Sequence, residues 1–148
     1  MKLIFDDYGN LLPYNISTIS IKDFQYNFVF NSNRNNLFES YLEVVNELKT
    51  IGIEHFKNWI NGSYTTLKIS PKDIDAVFII DFELFNKFEK ELIELKKRYK
   101  SKLDLYYLIE YPTGHEHYVR TQFDKIEWHF MFSTNRIKQQ KGYICINY

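Results

Sequence analysis

Hydrophobic positions recur with helical spacing in two long stretches of the chain. Between Asn33 and Thr50, Leu37, Tyr41, Val44, Val45 and Leu48 fall at i, i+4, i+7, i+8 and i+11, which lines one face of a helix. Ser32 is assigned as its N-cap, and Gly52 stands where a helix end wants positive φ. Between Phe82 and Tyr99, Phe82, Phe85, Phe88, Leu92 and Leu95 share a face, while Glu83/Lys87 and Glu94/Arg98 are spaced to pair on the solvent side. Around these helices the pattern shortens to strands. One is expected within residues 54–61, ending at Gly62-Ser63, and a clearer one runs from Asp73 to Asp81 (DIDAVFIID). Leu103–Ile109 and Gly142–Tyr148 read as two more, with a helix over Tyr118–Phe132 between them. Residues 1–31 read as irregular or short-strand chain, with turns at Tyr8-Gly9-Asn10 and Pro13. The order of elements predicts a mixed α/β (α+β) fold: a small mixed sheet with helices packed on it.

Composition narrows the function classes. At 148 residues, with no repeat and no low-complexity linker, residues 1–148 are expected to form a single domain. Lys+Arg and Asp+Glu are both 19, so the net charge is zero, which argues against a protein whose main task is gripping a nucleic-acid backbone. The charge is slightly uneven: 5 basic against 7 acidic side chains in residues 1–60, 9 against 9 in 61–110, and 5 against 3 in 111–148. Aromatic residues make up 18% of the chain, which predicts a ring-rich core. A single cysteine, Cys145, rules out a disulfide framework and a multi-cysteine zinc site. No apolar run approaches the roughly 18 residues needed to span a bilayer, and Asp6 and Asp7 interrupt the N-terminal stretch before a signal peptide could form. A cytoplasmic location with no membrane partner is the expectation.

The chemistry concentrates in the middle of the chain. Residues i and i+2 of a strand point to one face, so Asp73 and Asp75 are expected to project side by side. Asp104 on the following strand is placed to join them if the two strands are neighbours. Gathering carboxylates costs free energy through like-charge repulsion, and a divalent cation removes that cost. Mg²⁺ suits such a set, because it takes one or two carboxylates and leaves other positions to water and phosphates. Gly62-Ser63 supplies a complementary part, backbone N–H groups and a hydroxyl at a helix start that suit a phosphate.

Gly62-Ser63, nine intervening residues, then Asp73-x-Asp75 resembles the signature of the polymerase-β-like nucleotidyltransferase superfamily. The stretches FDDYGNLLP, WINGSYTTLKISPKDIDAVFIID, LDLYYLIEYPTGH and KGYICI resemble a bacterial branch of small nucleotidyltransferase-fold proteins over nearly the whole chain. The resemblance implies a nucleotidyltransferase fold, Gly62 and Ser63 as phosphate-binding, and Asp73, Asp75 and Asp104 as catalytic acids and ligands of Mg²⁺ or Mn²⁺. It implies ATP as the nucleoside triphosphate substrate and transfer of AMP to a hydroxyl on a protein or small molecule. The minimal nucleotidyltransferases of toxin–antitoxin and phage-defence systems, which the chain also resembles, commonly have ten residues between Ser and the first Asp and an arginine soon after the Ser. Here the stretch is Tyr64-Thr65-Thr66-Leu67-Lys68, so Lys68 is assigned to the nucleotide as a point charge. The alternative is a module that binds a nucleotide or a cognate partner without catalysis, as the antitoxin-like half of a two-protein system.

Other candidates have plainer readings. Asp81 is assigned as the N-cap of the Phe82 helix. His115 and His117 (GHEH) follow a turn with no third nitrogen ligand nearby in sequence, and are read as a loop without catalytic duty. Of Arg120, Arg136, Lys138 and Lys141, any one could reach a triphosphate, though each is more often a solvated surface charge.

Overall fold

The computed structural model describes residues 1–148. Ile4–Phe5 (β1) and Leu11–Leu12 (β2) form a small antiparallel hairpin, followed by the short strand Ile16–Thr18 (β3). The expected irregular lead-in also contains a helix, Ile21–Phe28 (α1), which buries Phe24 and Phe28 one turn apart. Its start is set by Ser20, whose hydroxyl accepts the Asp23 N–H at 3.0 Å and donates to the Asp23 carboxylate at 2.8 Å. Ser-x-x-Asp is a capping-box pattern, so the signal was present in the sequence; the helix is only two turns long, too short for periodicity to expose it.

Helix α2 spans Ser32–Ile51 and buries Leu37, Tyr41, Val44, Val45 and Leu48, the expected face. Its N-cap is Asn31 rather than Ser32: the Asn31 side chain accepts the Arg34 N–H at 2.9 Å. Both residues cap well, and the chain starts the helix one residue earlier than expected. Gly52 closes it in the left-handed region, at φ 116°.

Lys57–Asn61 (β4), Ile74–Asp81 (β5), Leu103–Glu110 (β6) and Tyr143–Asn147 (β7) complete a five-stranded mixed sheet in the order β3-β7-β4-β5-β6. The outer pairs β3/β7 and β5/β6 are parallel, and β4 is antiparallel to both β7 and β5. Along β5, Ile74, Ala76, Phe78 and Ile80 face the larger core, where Phe24, Tyr41 and Leu48 meet them, while Val77 and Ile79 face the other way. Each such fully buried side chain stabilises the fold by about 1.5–3 kcal/mol. The core is ring-rich, as composition implies: Phe24, Phe28, Phe38, Tyr41, Tyr64 and Phe78 form a chain of ring pairs with centroids 5.0–6.4 Å apart.

The single long helix expected over Phe82–Tyr99 is two. α3 (Phe82–Lys87), capped by Asp81, ends at Phe88, whose backbone leaves the helical region, and α4 (Glu89–Tyr99) starts on a new line. The Phe88 ring lies against Gly52 at the end of α2, so packing between helices makes the break, with no Gly or Pro to announce it. The expected Glu94/Arg98 pair is also replaced. Arg98 reaches across to Glu47 of α2 at 2.6 Å, and Glu94 faces Lys97 at 3.8 Å. Helix α5 (Tyr118–Phe132) crosses the second face of the sheet. No helix is long and apolar enough to cross a membrane.

Candidate functional site

The end of β4 meets the beginnings of β5 and β6 along one edge of the sheet. Asn61 stands opposite Asp75 in the β4/β5 register, and Asp75 opposite Asp104 in the β5/β6 register. Directly opposed residues lie about 5 Å apart and share a face. By the two-residue period this is the face of Val77, Ile79 and Leu108, under helix α5. The row Asn61–Asp75–Asp104 is therefore a polar strip across three strands. Tyr106, two residues on from Asp104, donates its hydroxyl to the Asp104 carboxylate at 2.8 Å, and its ring packs on Trp128 of α5.

Gly62 closes the strip. Its φ of 75° and ψ of −164° lie in a region essentially restricted to glycine. A Cβ there would sit 1.7 Å from Asp75 Oδ2, so the turn backbone and the Asp75 carboxyl are in direct apposition. Ser63–Thr65 follow as one turn of 3₁₀ helix, with Ser63 half-buried at its start. The buried Lys141 donates to the Gly62 carbonyl at 2.8 Å.

The electrostatics follow from this packing. Burial pushes the Asp75 carboxyl up to about 6, helped by the charges of Asp73 and Asp104 and a hydrogen bond shared with Asp104, and opposed by Lys141. Burial lowers Lys141 to about 8, with Asp75 holding it up in part. The hydrogen bond to Asp104 raises the Tyr106 phenol to about 12. A carboxyl raised by folding contributes stability that is fully present below its unfolded value near 4 and is lost as pH rises through about 6. The difference in unfolding free energy between Asp75→Asn and wild type should therefore grow in the variant's favour from pH 4 to pH 7. Asp75 is only part-buried, so the expected gain is about 1–2 kcal/mol. Urea denaturation of both proteins at the two pH values checks it; a flat difference contradicts the assignment.

The structure brings together Gly62, Ser63, Asp75 and Asp104. Asp73 stands one residue ahead of β5, and its charge, like that of Asp104, raises the Asp75 carboxyl. The acids form a neighbouring pair with a third close by, and no three His, Cys, Asp or Glu side chains make a closed cation cage. Lys68 is exposed and offers its carbonyl to Arg34, so Lys141 is the lysine whose charge acts on Asp75. His115 and His117 stack with Tyr111 and Phe82 beyond the opposite ends of β5 and β6, away from the acids.

Arg34 shapes the loop behind the site. It has no exposed surface, and its guanidinium donates to the carbonyls of Tyr64 and Thr66 at 2.7 Å, Lys68 at 3.0 Å and Phe28 at 3.1 Å, with Ser63 at 3.4 Å. The Tyr64 hydroxyl returns a bond to the Arg34 carbonyl at 2.9 Å. Burial lowers the guanidinium to about 10, so it stays charged at neutral pH, with carbonyl dipoles rather than an acid around it. Arg34 lies three residues before Leu37 on the apolar face of α2, and that placement was its sequence signal.

Asn61 adds a third oxygen to the row of carboxylates. Its Oδ1 is buried with no hydrogen-bond partner, a state that costs about 1–3 kcal/mol. An amide oxygen in line with two carboxylates is a hard-oxygen donor set of the kind Mg²⁺ takes, with water and phosphate oxygens completing the shell. The residues present fit such an ion. No curated protein and no solved structure matches the chain. A family model matches residues 3–147, and over that span the chain belongs to DUF6932, a family of unknown function.

Proposed function

We propose that this protein is a Mg²⁺-dependent nucleotidyltransferase of the polymerase-β-like superfamily, moving AMP from ATP to a hydroxyl on a protein or small molecule. The observation that carries the reading is the apposition of Gly62 to Asp75, with Asp104 in register beside it. The spacing of Gly62-Ser63 and Asp73-x-Asp75 supports it from the sequence side. Asp75 and Asp104 would hold the metal, with Asp73 and the Asn61 oxygen beside them. The bound ion would supply charge neutralisation on the phosphates and a more acidic acceptor hydroxyl. The chain's own part is positioning. Gly62 lets the turn approach the carboxylates closely, Ser63 offers a hydroxyl and a backbone N–H to the terminal phosphates, and Lys141 fixes the Gly62 carbonyl from behind. Tyr106 orients Asp104 through its hydrogen bond. Zero net charge favours a protein or small-molecule acceptor over a nucleic-acid strand, which normally needs a basic track.

Incubation with α-labelled ATP, Mg²⁺ or Mn²⁺, and total cell protein or RNA tests this directly. Label should appear on protein or a small molecule, and Asp75→Asn should reduce it about a thousandfold, as loss of a charge-stabilising group does. Label on RNA 3′ ends would overturn the choice of acceptor. Because the acids form a pair rather than a closed triad, a second reading has its own support: a nucleotide- or partner-binding module without catalysis. It expects Mg²⁺-ATP to raise the melting temperature with no label transferred.

A further inference from the structure

Helix α5 carries its apolar residues on the wrong side for a monomer. Val119, Phe123, Ile126 and Phe130 follow i, i+4, i+7 and i+11, a single helical face, and with Met131 they are 51–70% exposed. The inward side is held by the rings of Trp128 and Phe132 together with polar bonds. Thr121 donates to the Ile109 carbonyl and accepts the Tyr111 N–H, both at 2.9 Å, and Lys125 pairs with Glu110 at 2.8 Å. Among its large apolar side chains only Phe132 is buried, and Trp128 is half-buried. A contiguous apolar stripe of this kind on a soluble surface marks an interaction site.

We infer that α5 is a homodimer interface, packing antiparallel against α5 of a second copy of this chain about a two-fold axis near Phe123. Two observations choose this occupant. The first is charge. Arg120 and Glu127 are exposed, lie two turns apart on the same flank of the stripe, and make no ion pair within the chain. They are equally distant from the midpoint between Phe123 and Asp124. An antiparallel two-fold pairing keeps that flank on the same side in both helices, so Arg120 of each copy faces Glu127 of the other. A parallel pairing sets the two flanks on opposite sides and leaves all four charges unpaired. The second is area. At about 150–200 Å² for a large side chain, the exposed parts of the five apolar residues amount to roughly 500 Å² per copy. Doubled across an isologous interface and joined by the flanking polar residues, this reaches the roughly 1,200 Å² at which stable interfaces begin.

Sedimentation velocity of the full chain from about 1 to 100 µM reads the result. A species of twice 18.0 kDa is expected. Phe123→Glu should return it to monomer with an unchanged circular dichroism spectrum. Arg120→Glu and Glu127→Arg should each weaken the dimer about tenfold or more, since each turns two attractions into two repulsions. The double variant carrying both substitutions should restore it. A monomer at all concentrations would overturn the inference, including one that sediments with lipid vesicles or pairs only with a different protein. So would a dimer indifferent to Phe123→Glu, or charge variants that are not rescued in combination.

Discussion

Arg34→Met should lower the unfolding free energy by about 3–5 kcal/mol, the large end of single-substitution effects, reached when a buried hydrogen-bond network is broken. Methionine fills much of the same space, so the loss is one of hydrogen bonds rather than volume. The carbonyls of Phe28 and Tyr64 lose a buried donor and those of Thr66 and Lys68 a part-buried one, and each unpartnered buried carbonyl costs about 1–3 kcal/mol. The full sum is not expected, because the variant no longer buries a charge. Arg34→Lys should recover less than half of the loss. One ammonium with three donors cannot span four carbonyls that a planar guanidinium reaches from its three nitrogens. Urea denaturation measures both variants. A loss below about 1 kcal/mol for Arg34→Met would mean that the loop holds its shape without this residue.

Gly62→Ala should cost about 4 kcal/mol, and it should do so through Asp75. Part of the cost is backbone, since alanine at φ 75° and ψ −164° is strained by about 1–3 kcal/mol. The rest is overlap, with the new methyl 1.7 Å from Asp75 Oδ2 and 2.8 Å from its Cγ. Asp75→Ala removes both of those atoms and leaves the residue 75 Cβ at a tolerable 3.3 Å. The Gly62→Ala penalty should therefore fall to about 2 kcal/mol in the Asp75→Ala background. A double-mutant cycle reports that coupling. Additive effects would show that the turn and the carboxylate are not in contact in solution.

Much of this geometry is legible in the amino-acid sequence. The strands at Ile74–Asp81 and Leu103–Glu110 were readable because their apolar runs are bounded by turns, and their pairing in parallel sets Asp75 opposite Asp104. The Gly62-Ser63 turn was readable from its place after a strand. What escaped lies in long-range contacts. The break at Phe88 comes from a ring packing on Gly52, thirty-six positions away in the chain. The importance of Arg34 and Lys141 comes from carbonyls they reach across the fold, and a charged residue read in isolation looks solvated. Asn61 carries no signal at all until its register with Asp75 is known.

The sheet order has a consequence for solution behaviour. β6 is an outer strand, eight residues long and rich in Leu, Tyr and Ile, whereas the opposite margin, β3, is only three residues. A long apolar margin with unpaired backbone groups invites strand addition from neighbouring molecules, and charged residues directed into it are a common safeguard. β6 carries an acid near each tip, Asp104 opposite Asp75 and Glu110 opposite Asp81 of β5, with Glu110 paired to Lys125. We expect the Asp104 charge to discourage strand addition at its tip. Neutralising it to test chemistry would weaken that guard, so turbidity belongs beside any activity readout for an Asp104 variant.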